Sequence, residues 1–116
     1  MIVVKCLKYQ EDDLSSLKDH LREFFICDLM STLQVGPKVI KDHSFDFILF
    51  KDCIEFVMEK CEPVKTETLE KDIKSSLLKM HMLNIVHSDI KPANIMFSPT
   101  FNKNVLIDFG IASFVK

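Results

Sequence analysis

The stretch from Val86 to Gly110 constrains this chain more than any other. It gathers Asp89, Lys91 and Asn94 within six residues, in Val86-His87-Ser88-Asp89-Ile90-Lys91-Pro92-Ala93-Asn94, and sets Asp108-Phe109-Gly110 nineteen residues after Asp89. Between them lie two short apolar runs, Ile95-Met96-Phe97 and Val105-Leu106-Ile107, around the turn residues Ser98-Pro99-Thr100. Two such runs joined by a turn can pair as a hairpin, which returns Asp108 to the loop that carries Asp89. Two carboxylates, an ammonium and a carboxamide are thereby expected in one cleft. Phosphoryl transfer needs this set: a carboxylate beside the acceptor hydroxyl, oxygen ligands for Mg²⁺, and a cation on the transferring phosphate.

The preceding residues predict a mixed α+β frame. Ile2-Val3-Val4-Lys5-Cys6-Leu7 is a β-branched run and reads as a strand. After the polar turn Gln10 to Asp13, Leu14, Leu17, Leu21, Phe24, Phe25, Met30 and Leu33 recur at three- and four-residue steps. That spacing predicts a helix of about five turns with one apolar face, its acidic start suiting the positive end of the dipole. Gly36-Pro37 is the expected break. Phe45–Phe50 and Cys53–Glu59 read as a hairpin turning at Lys51-Asp52, and Glu62-Pro63 ends the strand region. A second helix is expected over about Glu67 to Met82, with Leu69, Ile73, Leu77 and Met80 as its stripe and Asn84 as its stop.

The pair of motifs resembles the catalytic loop H-R-D-x-K-x-x-N and the D-F-G of eukaryotic-type protein kinases, and Lys91-Pro92 resembles the serine/threonine class. The resemblance implies Asp89 as catalytic base, Lys91 on the γ-phosphate, Asn94 and Asp108 as Mg²⁺ ligands, and Phe109 packed between two lobes. Val3-Val4-Lys5 resembles V-A-I-K, which implies Lys5 on the α- and β-phosphates of ATP. Its ion-pair partner on the following αC-type helix is then Glu23, eighteen residues on, with Glu11 and Asp28 as alternatives. Phe56 to Cys61 is similar to the last strand of the N-lobe running into the hinge. Met58 would be the gatekeeper, with the backbone of Glu59 and Cys61 on the adenine. His87 is implied as a packing and hydrogen-bonding residue of the loop, not a proton carrier.

The fold implied is a partial two-lobe kinase: a three-stranded antiparallel N-lobe sheet with one helix over residues 1–61, and the start of the helical C-lobe over 62–116. Complete kinase domains are more than twice this length, and no G-x-G-x-x-G precedes Lys5. The chain is therefore expected to be a truncated fragment, marginally stable, with the helix stripe of residues 67–82 facing water and a stabilising partner or the rest of the domain required. Ser88 stands where many kinases have arginine, and serine cannot form that arginine's bidentate pair with an activation-loop phosphate. Two other readings compete: a kinase-like module that binds nucleotide or a partner without turnover, and a small-molecule kinase of the aminoglycoside or choline type, where a small residue such as Ser88 is at home.

Composition excludes several classes. A net charge of −2 with mixed signs and no basic run speaks against a nucleic-acid surface. No apolar run reaches the roughly 18 residues of a membrane span, and Met1 to Lys8 lacks the makeup of a signal peptide. An intracellular, cytoplasmic setting with ATP, Mg²⁺ and a protein substrate is expected. The four cysteines, Cys6, Cys27, Cys53 and Cys61, form no C-x-x-C pair and no zinc-type spacing, so free thiols are expected.

Overall fold

The computed structural model describes residues 2–9, 14–41, 47–50, 52–110 and 112–114. Its longest ladder joins β1 (Ile2–Lys8) to β4 (Cys53–Glu59), antiparallel, from Ile2 opposite Glu59 to Lys8 opposite Cys53. The other edge of β4 takes β3 (Ile48–Leu49) beside Ile54 and Glu55, and β2 (Val39–Ile40) beside Val57 and Met58. The hairpin of β3 and β4 is as expected, and the Phe50 N–H donates to Cys53 O at 2.8 Å across its turn. Phe45 and Asp46 of the predicted strand lie outside the described residues. Among the described residues the sheet has four strands, not three. Two residues just beyond a Gly-Pro break offer no alternation to read, so β2 carries no sequence signal.

Helix α1 (Leu14–Thr32) follows β1. The acidic turn before it, Glu11 to Asp13, lies outside the described residues. Its buried face is centred on Glu23, Phe24, Ile26, Cys27, Met30 and Ser31, while Leu14 and Phe25 of the predicted stripe are exposed. The face is thus rotated toward a buried carboxylate that hydrophobicity alone would leave in water. The helix stops before the glycine: Gln34 takes the left-handed conformation (φ 60°), and the N–H groups of Val35 and Gly36 both reach back to Met30 O.

A 3₁₀ turn at Thr66–Thr68 leads into α2 (Leu69–Met82), which Asn84 closes with φ 58° and an N–H donated to His81 O. The predicted stripe of α2 does not face water. Met80 is fully buried, Ile73 and Leu77 pack on the core, and Leu78, Met82 and Leu83 are the exposed apolar residues instead. Asp72 holds the helix to the sheet beneath it. Its carboxylate accepts from the Asn104 N–H (2.9 Å), the Asn104 amide (3.0 Å) and the Thr68 hydroxyl (2.9 Å). Burial alone raises the Asp72 pKa, but these donors, helped by the Lys103 charge, hold it below the usual carboxylate range. Asn104 also grips the Lys65 backbone, accepting from its N–H and donating to its carbonyl.

β5 (Ile85–Val86) and β8 (Ser113–Phe114) form one small antiparallel pair; β6 (Ile95–Ser98) and β7 (Lys103–Leu106) form the expected hairpin. The turn of that hairpin is longer than predicted, running from Pro99 to Asn102, because Asn102 supplies the left-handed residue (φ 54°). One hydrophobic cluster runs through both halves of the chain. It joins Phe24, Met30, Val35 and Phe56 to Met80, Ile85, Leu106 and Phe109.

Candidate active site

A cleft of about 610 Å³ opens between β1, α1, the end of β4, and the strands that lead to Asp108. Strand alternation turns Val3, Lys5 and Leu7 toward it. Lys5 Nζ lies 2.8 Å from Glu23 Oε2 on α1. Burial, the largest influence, lowers the Lys5 pKa, but the hydrogen bond to Glu23 and the negative field of Glu23 and Asp108 outweigh it and raise it. Of the alternative partners, Asp28 binds Lys41 at 2.8 Å, and Glu11 lies outside the described residues.

Asp108 lines the same cleft in a left-handed conformation (φ 59°) that turns its carboxylate back, where Oδ1 accepts the Gly110 N–H at 3.3 Å. A side chain at Gly110 would meet Asp108 Oδ1 at 3.2 Å and Glu23 Oε1 at 3.3 Å, so both carboxylates converge on that glycine. Phe109 is buried at the edge of the same cleft and packs edge-on to His87 with ring centroids 5.1 Å apart. Gly36 makes room for it. A Cβ there would stand 3.0 Å from Phe109 Cε2 and 3.2 Å from Met30 Cβ. Gly36 is a glycine for lack of space, not for backbone freedom, since no glycine has positive φ.

Asp89, Lys91 and Asn94 gather in the loop between β5 and β6. Asn94, buried, donates its amide to Asp89 O (2.9 Å) and Asp89 Oδ2 (3.0 Å), and Lys91 Nζ lies 3.6 Å from that same Oδ2. These three do not line the cleft that holds Lys5 and Asp108. Two hydrogen bonds tether their loop to the strand end carrying Asp108: Ile107 N–H to Asn94 O (2.9 Å), and His87 Nε2 with Ile107 O (2.8 Å). The Asp89 N–H donates to His87 Nδ1 at 3.2 Å. Nδ1 must therefore carry a lone pair, so the His87 proton sits on Nε2 and points at Ile107 O. Ser88 sits at φ 71°, exposed.

Met58, Glu59 and Cys61 line the cleft where β4 ends. The Glu59 side chain has a second set of partners. Its buried carboxylate accepts from the Ser98 hydroxyl (2.9 and 2.8 Å), the Thr100 N–H (3.3 Å) and the Lys38 N–H, joining the segment after α1 to the β6–β7 turn. Burial foremost, then the charges of Glu59 and Glu62, pushes the Cys61 thiol up to about 12, and burial likewise takes Cys27 to about 12.

Several lining residues escaped the sequence reading as site residues, Val3 and Met96 among them. Both were within reach of the period-2 rule: Val3 shares the parity of Lys5, and Met96 follows Asn94 by two. Gly36 was read only as a break, and its packing against Phe109 carried no signal, because that ring comes from a distant part of the chain.

The protein kinase domain family model matches residues 1–116, the whole chain. The chain is 34% identical over 95 residues to Calcium-dependent protein kinase 6 of Plasmodium berghei, covering 68% of this chain and 6% of that protein. It is 25% identical over 133 residues to the serine/threonine-protein kinase ppk34 of Schizosaccharomyces pombe, covering 92% of this chain and 37% of that one. With the alpha' subunit of casein kinase II of Saccharomyces cerevisiae it shares 50% identity over 34 residues, 29% of this chain and 10% of the relative. It thus spans a minor part of each. A match along its full length, with Lys5, Glu23 and Asp108 lining one cleft and the loop of Asp89, Lys91 and Asn94 tethered to the strand end beside it, makes this chain a member of the protein kinase domain family.

Proposed function

We propose that this chain forms the nucleotide cleft and catalytic loop of a serine/threonine protein kinase, which transfers the γ-phosphate of ATP to a hydroxyl of a protein substrate. Protein kinase domains in general use ATP and Mg²⁺. The observation that carries the reading is the ion pair of Lys5 and Glu23, facing the same cleft as Asp108. A cation held by a buried carboxylate opposite a second carboxylate suits a phosphate chain with its metal, and the donor set of Asp108 and Asn94 is all oxygen, as Mg²⁺ prefers.

In this reading Lys5, steadied by Glu23, holds the α- and β-phosphates. The adenine lies between the apolar side chains of Val3 and Met96, beside Met58, with the backbone of Glu59 and Cys61 as its hydrogen-bonding edge. Asn94 and Asp108 hold Mg²⁺, which when bound neutralises charge on the phosphate oxygens. Asn94 offers its amide oxygen, since its amide nitrogen is engaged by Asp89. Asp89 receives the proton of the acceptor hydroxyl, and Asn94 keeps its carboxylate aimed. Lys91, beside Asp89, stabilises the transferring phosphate.

Residues 1–61 act as N-lobe and hinge and residues 62–116 as the start of the C-lobe, in the cytoplasm, without nucleic-acid or membrane partners. Among the described residues no helix is long and apolar enough to cross a membrane. The exposed Leu78, Met82 and Leu83 support a stabilising partner or further domain surface on that side of α2. With serine at position 88, activation proceeds without an arginine–phosphate pair there.

The test is ATP binding by the purified chain with and without Mg²⁺, beside Asp108→Ala. Micromolar binding that needs Mg²⁺ and disappears in the variant is expected. A folded chain that binds no Mg·ATP refutes the reading.

A further inference from the structure

The alternation that turns Val3, Lys5 and Leu7 to the cleft turns Cys6 to the opposite face of the sheet. There Cys6 stands across from Glu55, and Cys53 across from Lys8, so Cys6, Glu55 and Cys53 form a triangle on two neighbouring strands. The two Sγ atoms and a Glu55 carboxylate oxygen all lie within 4.8 Å of one another, the one such ligand group among the described residues. All three residues lie outside the cleft lining. Cys6 is exposed, Glu55 half-buried and Cys53 buried, so the triangle opens to solvent on one side.

We propose that Cys6, Cys53 and Glu55 form a binding site for a thiophilic divalent cation, of the zinc or cadmium class, that clips β1 to β4. Two thiolates and a carboxylate are three of the four ligands of tetrahedral Zn²⁺, and water completes the set from the open side. Sulfurs on one such ion, each at about 2.3 Å, lie about 3.8 Å apart, within the separation the strands already give. Two sulfur donors disfavour Mg²⁺ and Ca²⁺. A disulfide suits the register less well. The cysteines are diagonal neighbours, and diagonal positions are typically about 7–8 Å apart, beyond the ~4.4–6.8 Å between Cα atoms that a disulfide spans. Binding exchanges two S–H bonds for two metal–sulfur bonds and releases both protons to solvent. The three anionic ligands then outnumber the charge of the ion by one, and Lys8, across from Cys53 on the same face, offsets the excess.

The reduced, metal-free chain is titrated with Cd²⁺ while the ultraviolet thiolate-to-cadmium charge-transfer absorption is followed. One equivalent is expected to raise the band, and Zn²⁺ to compete it away. Cys6→Ser, at an exposed position where folding is checked by circular dichroism, is expected to lose at least the roughly 10–100-fold in affinity that even outer-sphere partners are worth. Glu55→Gln weakens binding but keeps the band, and Cys61→Ser binds as the parent does. An unchanged titration in Cys6→Ser, an equal loss in Cys61→Ser, or cadmium bound without the band overturns the proposal.

Discussion

The ammonium of Lys5 sits 2.8 Å from the carboxylate of Glu23, eighteen residues further along the chain, and this contact joins the sheet to α1 at the mouth of the cleft. Replacing Glu23 by glutamine keeps the shape and removes the charge. Mg·ATP affinity is expected to fall about tenfold or more, each factor of ten being about 1.4 kcal/mol, as read by calorimetric titration. The raised pKa of Lys5 fixes the pH response. The contribution of the pair to stability is complete below the ordinary lysine value of 10.5 and is lost only as pH rises through the higher folded value. Thermal melts from pH 6 to 9 (about the neutral range, well below the lysine range) are thus expected to show no loss traceable to Lys5.

Gly36→Ala tests the seat of Phe109. The added methyl meets the Phe109 ring at 3.0 Å and Met30 Cβ at 3.2 Å, and neither neighbour is a loose chain end. A cost of about 1–3 kcal/mol is expected from overpacking, together with weaker Mg·ATP binding, because Asp108 moves with Phe109. Denaturant midpoints and nucleotide titration read the two effects separately.

Glu59→Gln tests the buried carboxylate at the end of β4. A glutamine can accept from two of the three donors, Ser98, Thr100 and Lys38, but turns an N–H group on the third. Urea unfolding is expected to show a loss of about 1–3 kcal/mol.

Asp72 predicts acid sensitivity. Its pKa is lowered in the folded chain, so its contribution is present above the ordinary carboxylate range near 3.8 and is lost as pH falls through the lower folded value. Asp72→Asn can set its amide oxygen where Oδ2 accepts the Asn104 and Thr68 donors, so it removes the charge and not the acceptor, and is expected to cost about 1 kcal/mol at neutral pH and to flatten the acid limb of the stability curve.

Cysteine modification offers a check on the cleft. Cys61 and Cys27, raised to about 12 mainly by burial, carry little thiolate at neutral pH, whereas Cys6 is exposed. Iodoacetamide labelling followed by mass spectrometry is expected to mark Cys6 first.

Much of this was legible in the sequence, for specific reasons. β1 and β4 announce themselves as β-branched and aromatic runs, both helices because apolar residues recur at three- and four-residue steps, and the β6–β7 hairpin because two apolar runs flank turn residues. Lys5, Glu23 and Asp108 were found through motif spacing, and they meet in one cleft. β2 and β8 were not legible. Two-residue strands have no periodicity, and β8 exists because Ile85 and Val86 offer it an edge. The buried face of α1 was misplaced because Glu23 is charged, and a hydrophobic pattern cannot count a carboxylate that is buried for its partner on β1. The roles of Asn104 and Glu59 as clamps escaped for the same reason: polar side chains that fasten distant backbone look like surface residues in a linear reading.

Seven paired positions between β1 and β4 decide which side of the sheet every β1 residue serves. A slip of one residue would reverse all of them: Lys5 would leave Glu23 for the solvent, and Cys6 would be driven inward against α1. The cleft face and the thiol face are therefore two readouts of a single alignment. Anything that clamps the outer face in register insures the inner one, and a chain that has lost its thiol triangle by misalignment will also have lost the lysine of its cleft.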